Sequence, residues 1–184
     1  MRAMQHQQRR ALATRGAGRS LDLQYYMWKN DLTGHLLARE IHAAAERGVR
    51  VRILLDDMNT KRMDLQLAAL DAHPNIELRV YNPFRNREGL WRLVEMVQRI
   101  FSINYRMHNK AWIADGRVAV VGGRNIGDRY FGLGMPPHFI DLDLLCRGPL
   151  CQQAEQGFAL FWHSRWSHPV RRLLRRPLLP AETR

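Results

Sequence analysis

The 184-residue sequence predicts an α/β fold organised on a mixed β-sheet. Two observations predict it. Residues 21–55 alternate strand, helix and strand patterns, a βαβ unit whose crossover requires parallel pairing. Residues 107–125, MHNKAWIADGRVAVVGGRN, carry short apolar runs on either side of Asp115-Gly116, a strong turn signal, and predict an antiparallel hairpin. Parallel and antiparallel pairs in one chain make the sheet mixed.

Composition narrows the class. A hydrophobic content of 46% is too high for a disordered chain, and the length suits one domain with a buried core. The formal net charge of +12 favours polyanions, either anionic lipid surfaces or nucleic acid. No apolar run approaches a membrane span, so any membrane contact is expected to be peripheral. Cys146 and Cys151 fit neither a disulfide framework nor a metal site and read as reduced, partly buried thiols. The eight histidines are scattered and predict no metal cluster.

Residues 1–20 contain five arginines and no acid. They lack the apolar core of a secretory signal and read as a basic, disordered tail. Leu21 to Trp28 (LDLQYYMW) predicts a buried strand whose aromatic residues suit a pleated surface. Asn30-Asp31 turns the chain. Thr33 is placed to cap a helix over residues 34–47, with Leu37, Ile41, Ala44 and Ala45 along its apolar stripe. Gly48 stands where a helix C-cap belongs. Val49 to Leu55 is the returning strand, and it ends at Asp56-Asp57. These acids either rim a site at the strand's carboxyl end or cap the next helix. His35 and His42, seven apart, read as surface residues.

Residues 61–72 predict a second helix, Ile76 to Tyr81 a short strand, and Asn82-Pro83-Phe84 a break. Gly89–Ile103 carries Leu90, Leu93, Val94, Val97 and Ile100 on one helical face. That stripe suits packing on the core, and it suits a membrane interface beside anionic headgroups. After the hairpin, residues 126–137 form a Gly- and Pro-containing loop that borders the pocket. Residues 138–145 alternate as a strand and send Asp141 and Asp143 to one face. Residues 150–166 predict a helix anchored by Phe158, Phe161, Trp162 and Trp166. Residues 169–184 read as a basic disordered tail, which leaves one domain over residues 21–168.

The chemistry gathers at the hairpin. His108 and Lys110 are two apart, so an extended backbone projects both to one face. An imidazole is a good nucleophile near neutral pH, and an ammonium beside it neutralises a phosphoryl group under attack. The adjacent glycines Gly122 and Gly123 allow backbone N–H groups to approach phosphate oxygens. Asn125 adds a neutral donor. Each part suits a phosphate ester.

The spacing His108-x-Lys110-x4-Asp115-x6-Gly122-Gly123-x-Asn125 resembles the HKD motif of the phospholipase D superfamily, with every position filled. The surrounding MHNKAWIADGRVAVVGGRNIGDRYFG, and the earlier LDLQYYMWKNDLTGHLLAREIHAAAERGVRVRILLDD, look most like bacterial cardiolipin synthases. The resemblance implies a phospholipase D-like mixed β-sheet flanked by helices on both faces, here as a single HKD half. It implies a phosphohistidine formed on His108, with Lys110, Asn125 and the Gly122 and Gly123 amides on the phosphate. It implies a strand carboxylate, best matched by Asp143, that orients His108. It places Asp115 in the catalytic motif, although its position at a turn points to holding neighbouring backbone. No metal or other cofactor is implied.

The resemblance also implies that two HKD motifs make one active site, and this sequence carries one. Three functions are therefore weighed. The first is a phosphatidyl transferase of cardiolipin synthase type, acting on phosphatidylglycerol at the cytoplasmic membrane and needing a second motif by homodimerisation, or forming part of a larger whole. The second is a single-motif phosphodiesterase or nuclease active as a homodimer, with nucleic acid as its partner. The third is a non-catalytic fragment that binds anionic surfaces.

Overall fold

The computed structural model describes residues 2–60, 63–83 and 106–173. Among the described residues, seven strands form one sheet: β1 (Ser20–Tyr25), β2 (Arg50–Asp56), β3 (Ile76–Tyr81), β4 (Ala111–Ala114), β5 (Val118–Gly122), β6 (Asp143–Arg147) and β7 (Ser167–Pro169). Their order across the sheet is β6-β5-β4-β1-β2-β3-β7. β1, β2 and β3 pair in parallel, with Leu23 beside Ile53 and Ile53 beside Leu78. β4 joins β1 antiparallel, and the hairpin β4–β5 and strand β6 extend the sheet antiparallel to its edge. The sheet is mixed because the βαβ repeat and the hairpin meet on the two sides of β1.

Helices cover both faces. α1 (Arg2–Gly16), α2 (Leu32–Glu46) and α3 (Asp64–Asp71) pack on one side, over a core that includes Leu21, Leu23, Leu37, Ile41, Ile53 and Trp112. α4 (Pro149–Trp162) packs on the other, setting Cys151, Phe158 and Trp162 against Leu54, Ile113 and Ala119. On that second face the neighbouring residues Asp22 and Arg52 of β1 and β2 form a two-bond ion pair of 2.6 and 2.7 Å. Arg52 in turn stacks over the rings of Phe158 and Trp162. The pair fixes β1 against β2 and gives α4 a cation to pack on.

The largest departure from the sequence reading is at the N-terminus. Residues 2–16 form a helix where a disordered basic tail was expected. Its arginines have found distant acceptors: Arg10 reaches the hydroxyl of Tyr25 and the carboxylate of Asp143, and Arg15 grips Glu40 of α2. Thr14 accepts from the indole N–H of Trp112. The C-terminal boundary also moves, because β7 pairs with β3 and Val170 is fully buried.

Other boundaries shift for local reasons. Asp31, rather than Thr33, caps α2, its Oδ1 accepting the Gly34 N–H at 3.0 Å. Residues 138–142 lie outside β6 because their backbone is drawn to the preceding loop, with Phe139 N–H donating to Arg129 C=O. α4 ends at Trp162, so Trp166 sits in the turn beyond it. The expected helix over residues 89–103 lies outside the described residues. Among the described residues, no helix is long and apolar enough to cross a membrane.

Candidate active site

The hairpin register builds the site. Ala111 pairs with Val121, and the Gly122 N–H donates to Lys110 C=O, so the end of β5 returns beside the residues that precede β4. His108 and Lys110 sit just before β4 and share one side. Lys110 Nζ lies 3.0 Å from His108 Nδ1 and also donates to the His108 carbonyl. The imidazole is exposed while Lys110 is buried, 5% exposed. Burial pushes the Lys110 ammonium below the usual lysine range, and Asp141 pulls it back up.

Tyr26, at the carboxyl end of β1, completes this face. Its ring centre is 4.9 Å from that of His108 and 5.5 Å from Lys110 Nζ, a cation–π distance. Asn125 follows the paired glycines. Its Oδ1 accepts the Met27 N–H at 3.0 Å, and its Nδ2 donates to the Tyr130 hydroxyl at 3.1 Å. An amide nitrogen carries two donors, so the Tyr130 bond uses one of them.

The glycines work differently from the expectation that their amides face phosphate. The Gly122 N–H is given to Lys110 C=O and the Gly123 N–H to Leu142 C=O. What glycine provides is close approach. A Cβ at Gly122 would come 2.2 Å from Leu142 O, and one at Gly123 2.3 Å from Asp141 Oδ1. Strand β6 and the residues before it can therefore lie against the motif.

The two acids of that segment divide. Asp143 is buried, and its Oδ2 accepts from Arg10 Nη2 and Arg124 Nε, each at 3.1 Å. Both guanidinium groups also stack on Phe131. Asp141 instead lies beside Gly123 and acts on Lys110. Asp143 Oδ1 in turn lies beside Gly122, so both carboxylates border the end of β5 that returns next to Lys110.

Asp115 stands at the far end of β4, about 16 Å along the strand from Lys110 at ~3.3 Å per residue. Asp115 and Gly116 both take left-handed backbone, φ 55° and 63°, and the Arg117 N–H closes the turn on Ala114 C=O at 2.9 Å. The carboxylate accepts the N–H groups of Gly18, Arg19 and Ser20 at 2.8–2.9 Å. It holds the start of β1 to the hairpin turn, so its place in the motif is architectural.

Asp56 has a comparable part at the other end. It is fully buried and N-caps the short turn after β2 through Met58 N–H. Its Oδ2 accepts the Met107 N–H at 3.1 Å, which fixes the backbone next to His108. Burial raises its pKa, against the Met58 N–H and the neighbouring Arg106. Sequence reasoning offered Asp56 as a rim or a cap. It missed Tyr26, Arg10 and Arg124. A tyrosine at the carboxyl end of a parallel strand, where α/β folds place ligands, is the signal that marks Tyr26.

The scattered histidines do meet in one place away from this face. His42, Glu46 and His73 cluster, with His73 Nε2 at 3.3 Å from Glu46 Oε1. His73 Nδ1 accepts the Asn75 N–H, which leaves the ring proton on Nε2 pointing at Glu46. That tautomer makes a hydrogen bond to Glu46 and offers no lone pair to a metal.

A His-x-Lys pair at the foot of an antiparallel hairpin, with glycines and an asparagine returning beside it in a helix-covered mixed sheet, defines a phospholipase D-like domain. The chain belongs to the cardiolipin synthase, PLD-like domain family, whose profile matches residues 13–162. It is 47% identical over 158 residues to cardiolipin synthase C of Escherichia coli (strain K12), covering 86% of this chain and 33% of that protein. The chain thus spans about a third of the length of the curated relatives it matches. Its fold is similar to NucT from Helicobacter pylori, with TM-score 0.63, 16% identity and coverage of 91% of this chain and 92% of that one. It is also similar to phosphatidylserine synthase of Haemophilus influenzae Rd KW20, with TM-score 0.68, 14% identity and coverage of 98% and 39%.

Proposed function

We propose that this domain supplies one half of a phosphatidyl-transferring site of cardiolipin synthase type, with phosphatidylglycerol as donor. The observation that carries the reading is the pairing of exposed His108 with buried Lys110 at 3.0 Å, beside Asn125 and Tyr26. An ammonium at that distance donates to Nδ1 and leaves the ring proton on Nε2. When Lys110 turns to a phosphate oxygen, exchange with water takes the proton off Nε2 and places one on Nδ1, and Nε2 is freed to attack.

The reaction then has two steps. His108 Nε2 attacks phosphorus, the bond from phosphorus to the headgroup glycerol oxygen breaks, and the departing alkoxide takes a proton from a second histidine. In the second step that histidine removes a proton from the hydroxyl of another phosphatidylglycerol, whose oxygen attacks phosphorus and breaks the P–N bond. Lys110 and one N–H of Asn125 hold the developing charge. Asp141 balances Lys110, and Asp143, with Arg10 and Arg124, braces the strand behind them.

The second histidine comes from another HKD half. A surface suited to meet it lies next to the site, because edge strand β6 and the segment leading into it expose Ile140, Leu142 and Leu144 at 100, 73 and 57%. Unpaired apolar edges of this kind seek a partner. The alternative reading, phosphodiester hydrolysis of nucleic acid, draws on the +12 charge.

The test is to measure mass in solution and cardiolipin formation from phosphatidylglycerol vesicles, with single-stranded DNA cleavage as a parallel arm. Activity that disappears in His108→Ala, with a ³²P-labelled histidine trapped in the unmodified protein, supports the transferase. Turnover of DNA alone moves the assignment to the alternative.

A further inference from the structure

The two-step reaction gives Tyr26 no part, yet its placement is built rather than incidental. Residues 25–29 are tied to the chain that follows the paired glycines. Met27 N–H donates to Asn125 Oδ1 at 3.0 Å, Ile126 N–H to Met27 C=O at 3.1 Å, and Lys29 N–H to Ile126 C=O at 2.9 Å. On either side, Tyr25 and Trp28 are buried and meet edge to face at 6.0 Å. These anchors hold the half-buried Tyr26 ring on the His108–Lys110 face.

Two groups lie within the roughly 6 Å over which an aromatic ring attracts a cation. Lys110 Nζ stands over the Tyr26 ring, 5.5 Å from its centre. The His108 ring centre is 4.9 Å away, with the two planes inclined at 52°. Attack on phosphorus treats their charges differently. The Lys110 ammonium is cationic before and after, so its attraction to the ring contributes equally to both states and leaves the barrier as it was. His108 attacks as a neutral imidazole with its proton on Nδ1. Once Nε2 is bonded to phosphorus and Nδ1 keeps that proton, the imidazole carries a positive charge until the P–N bond breaks. Only an interaction that strengthens along this path lowers the barrier.

We propose that the π system of Tyr26 stabilises the positive charge that His108 acquires on phosphorylation. Tyr26 is then a catalytic residue that acts through its ring and not through its hydroxyl. The proposal rests on the reading of His108 as nucleophile and holds for any phosphodiester that it attacks. The effect is about 2- to 5-fold in rate at an exposed site, rising to about 30-fold where bound substrate excludes water.

The test changes the charge distribution of the ring and keeps its shape. Tyr26→Phe is the reference, and 4-fluoro-, 3,5-difluoro- and 3,4,5-trifluorophenylalanine at position 26 withdraw π density stepwise. The full chain is mixed with bis(4-nitrophenyl) phosphate. Its nitrophenolate departs without a proton from the second histidine, so a burst that vanishes in His108→Ala reports phosphorylation of His108. The burst rate is expected to fall with each fluorine, by about 2- to 30-fold across the series, and Tyr26→Leu to fall as far. A rate equal across the series overturns the proposal. So does a tenfold loss already present in Tyr26→Phe, which would place the effect on the hydroxyl. NMR titration of the His108 ring reads the same charge without turnover, with the Lys110 ammonium, itself under the pull of Asp141, beside it throughout. From Phe to the trifluoro ring its midpoint should fall by roughly 0.4–0.7 pH unit, and a fixed midpoint overturns the proposal. A graded burst with no cardiolipin formed from phosphatidylglycerol vesicles fails the phospholipid reading and leaves the part of Tyr26 standing. A midpoint that moves in a chain giving no burst removes His108 as nucleophile, and the proposal with it.

Discussion

At the scale of single residues, the motif separates into groups that face chemistry and groups that hold backbone. Asp115 belongs to the second kind. Partial burial alone would raise its pKa, but three backbone N–H groups and Arg19 outweigh that and hold the carboxyl below its usual value. A depressed folded pKa contributes stability that is complete above the ordinary aspartate range and disappears as pH falls through the folded value. Asp115→Asn should therefore cost about 1 kcal/mol near neutrality, allowing for solvent screening of a half-exposed group. In thermal melts the gap from the unmodified protein should narrow steadily below about pH 4. A gap that stays constant to pH 3 would show that the ionised carboxylate is not what holds the turn. Asp143 predicts a different phenotype. Asp143→Ala leaves Arg10 and Arg124 buried without their shared acceptor and should cost roughly 3–5 kcal/mol by urea unfolding. A change below 1 kcal/mol would remove the bracing role.

At the scale of elements, α1 is the informative case. Its sequence was legible only as a basic tail because its helical pattern is weak and its stabilising partners are remote. Arg10 finds Asp143 at a separation of 133 residues, and Thr14 finds Trp112 at 98. Periodicity within a window cannot report such contacts. The βαβ unit and the hairpin were readable because their signals are local: a capped amphipathic helix between apolar runs, and Asp-Gly between strands. The site followed the same division. His108, Lys110 and Asn125 of the candidate site could be named from spacing, whereas Tyr26 and Arg10 enter it only through the tertiary placement of β1 and α1. If α1 is integral, Arg10→Ala should destabilise the whole domain in a single cooperative transition. Unfolding in two steps, with the sheet unaffected by the change, would make α1 an appendage.

At the scale of the molecule, charge and sheet edge act together. The +12 charge should drive the protein to anionic vesicles, with Lys and Arg near the surface each worth about 1 kcal/mol. Shortening the Debye length from about 14 Å to 4 Å, between roughly 50 and 500 mM salt, should weaken vesicle binding by tenfold or more. Co-sedimentation that ignores salt would assign the attraction to apolar insertion instead.

The position of β1 has a consequence for biosynthesis. It is the central strand, and its two neighbours lie far apart along the chain: β2 follows soon, whereas β4 begins only at Ala111. At ~5–20 residues per second, a ribosome needs about 4–17 s to make the intervening chain. For that interval one edge of an apolar strand has no native partner. The nascent protein is most vulnerable to misassociation then, and the hairpin that bears His108 is also the element that ends the exposure.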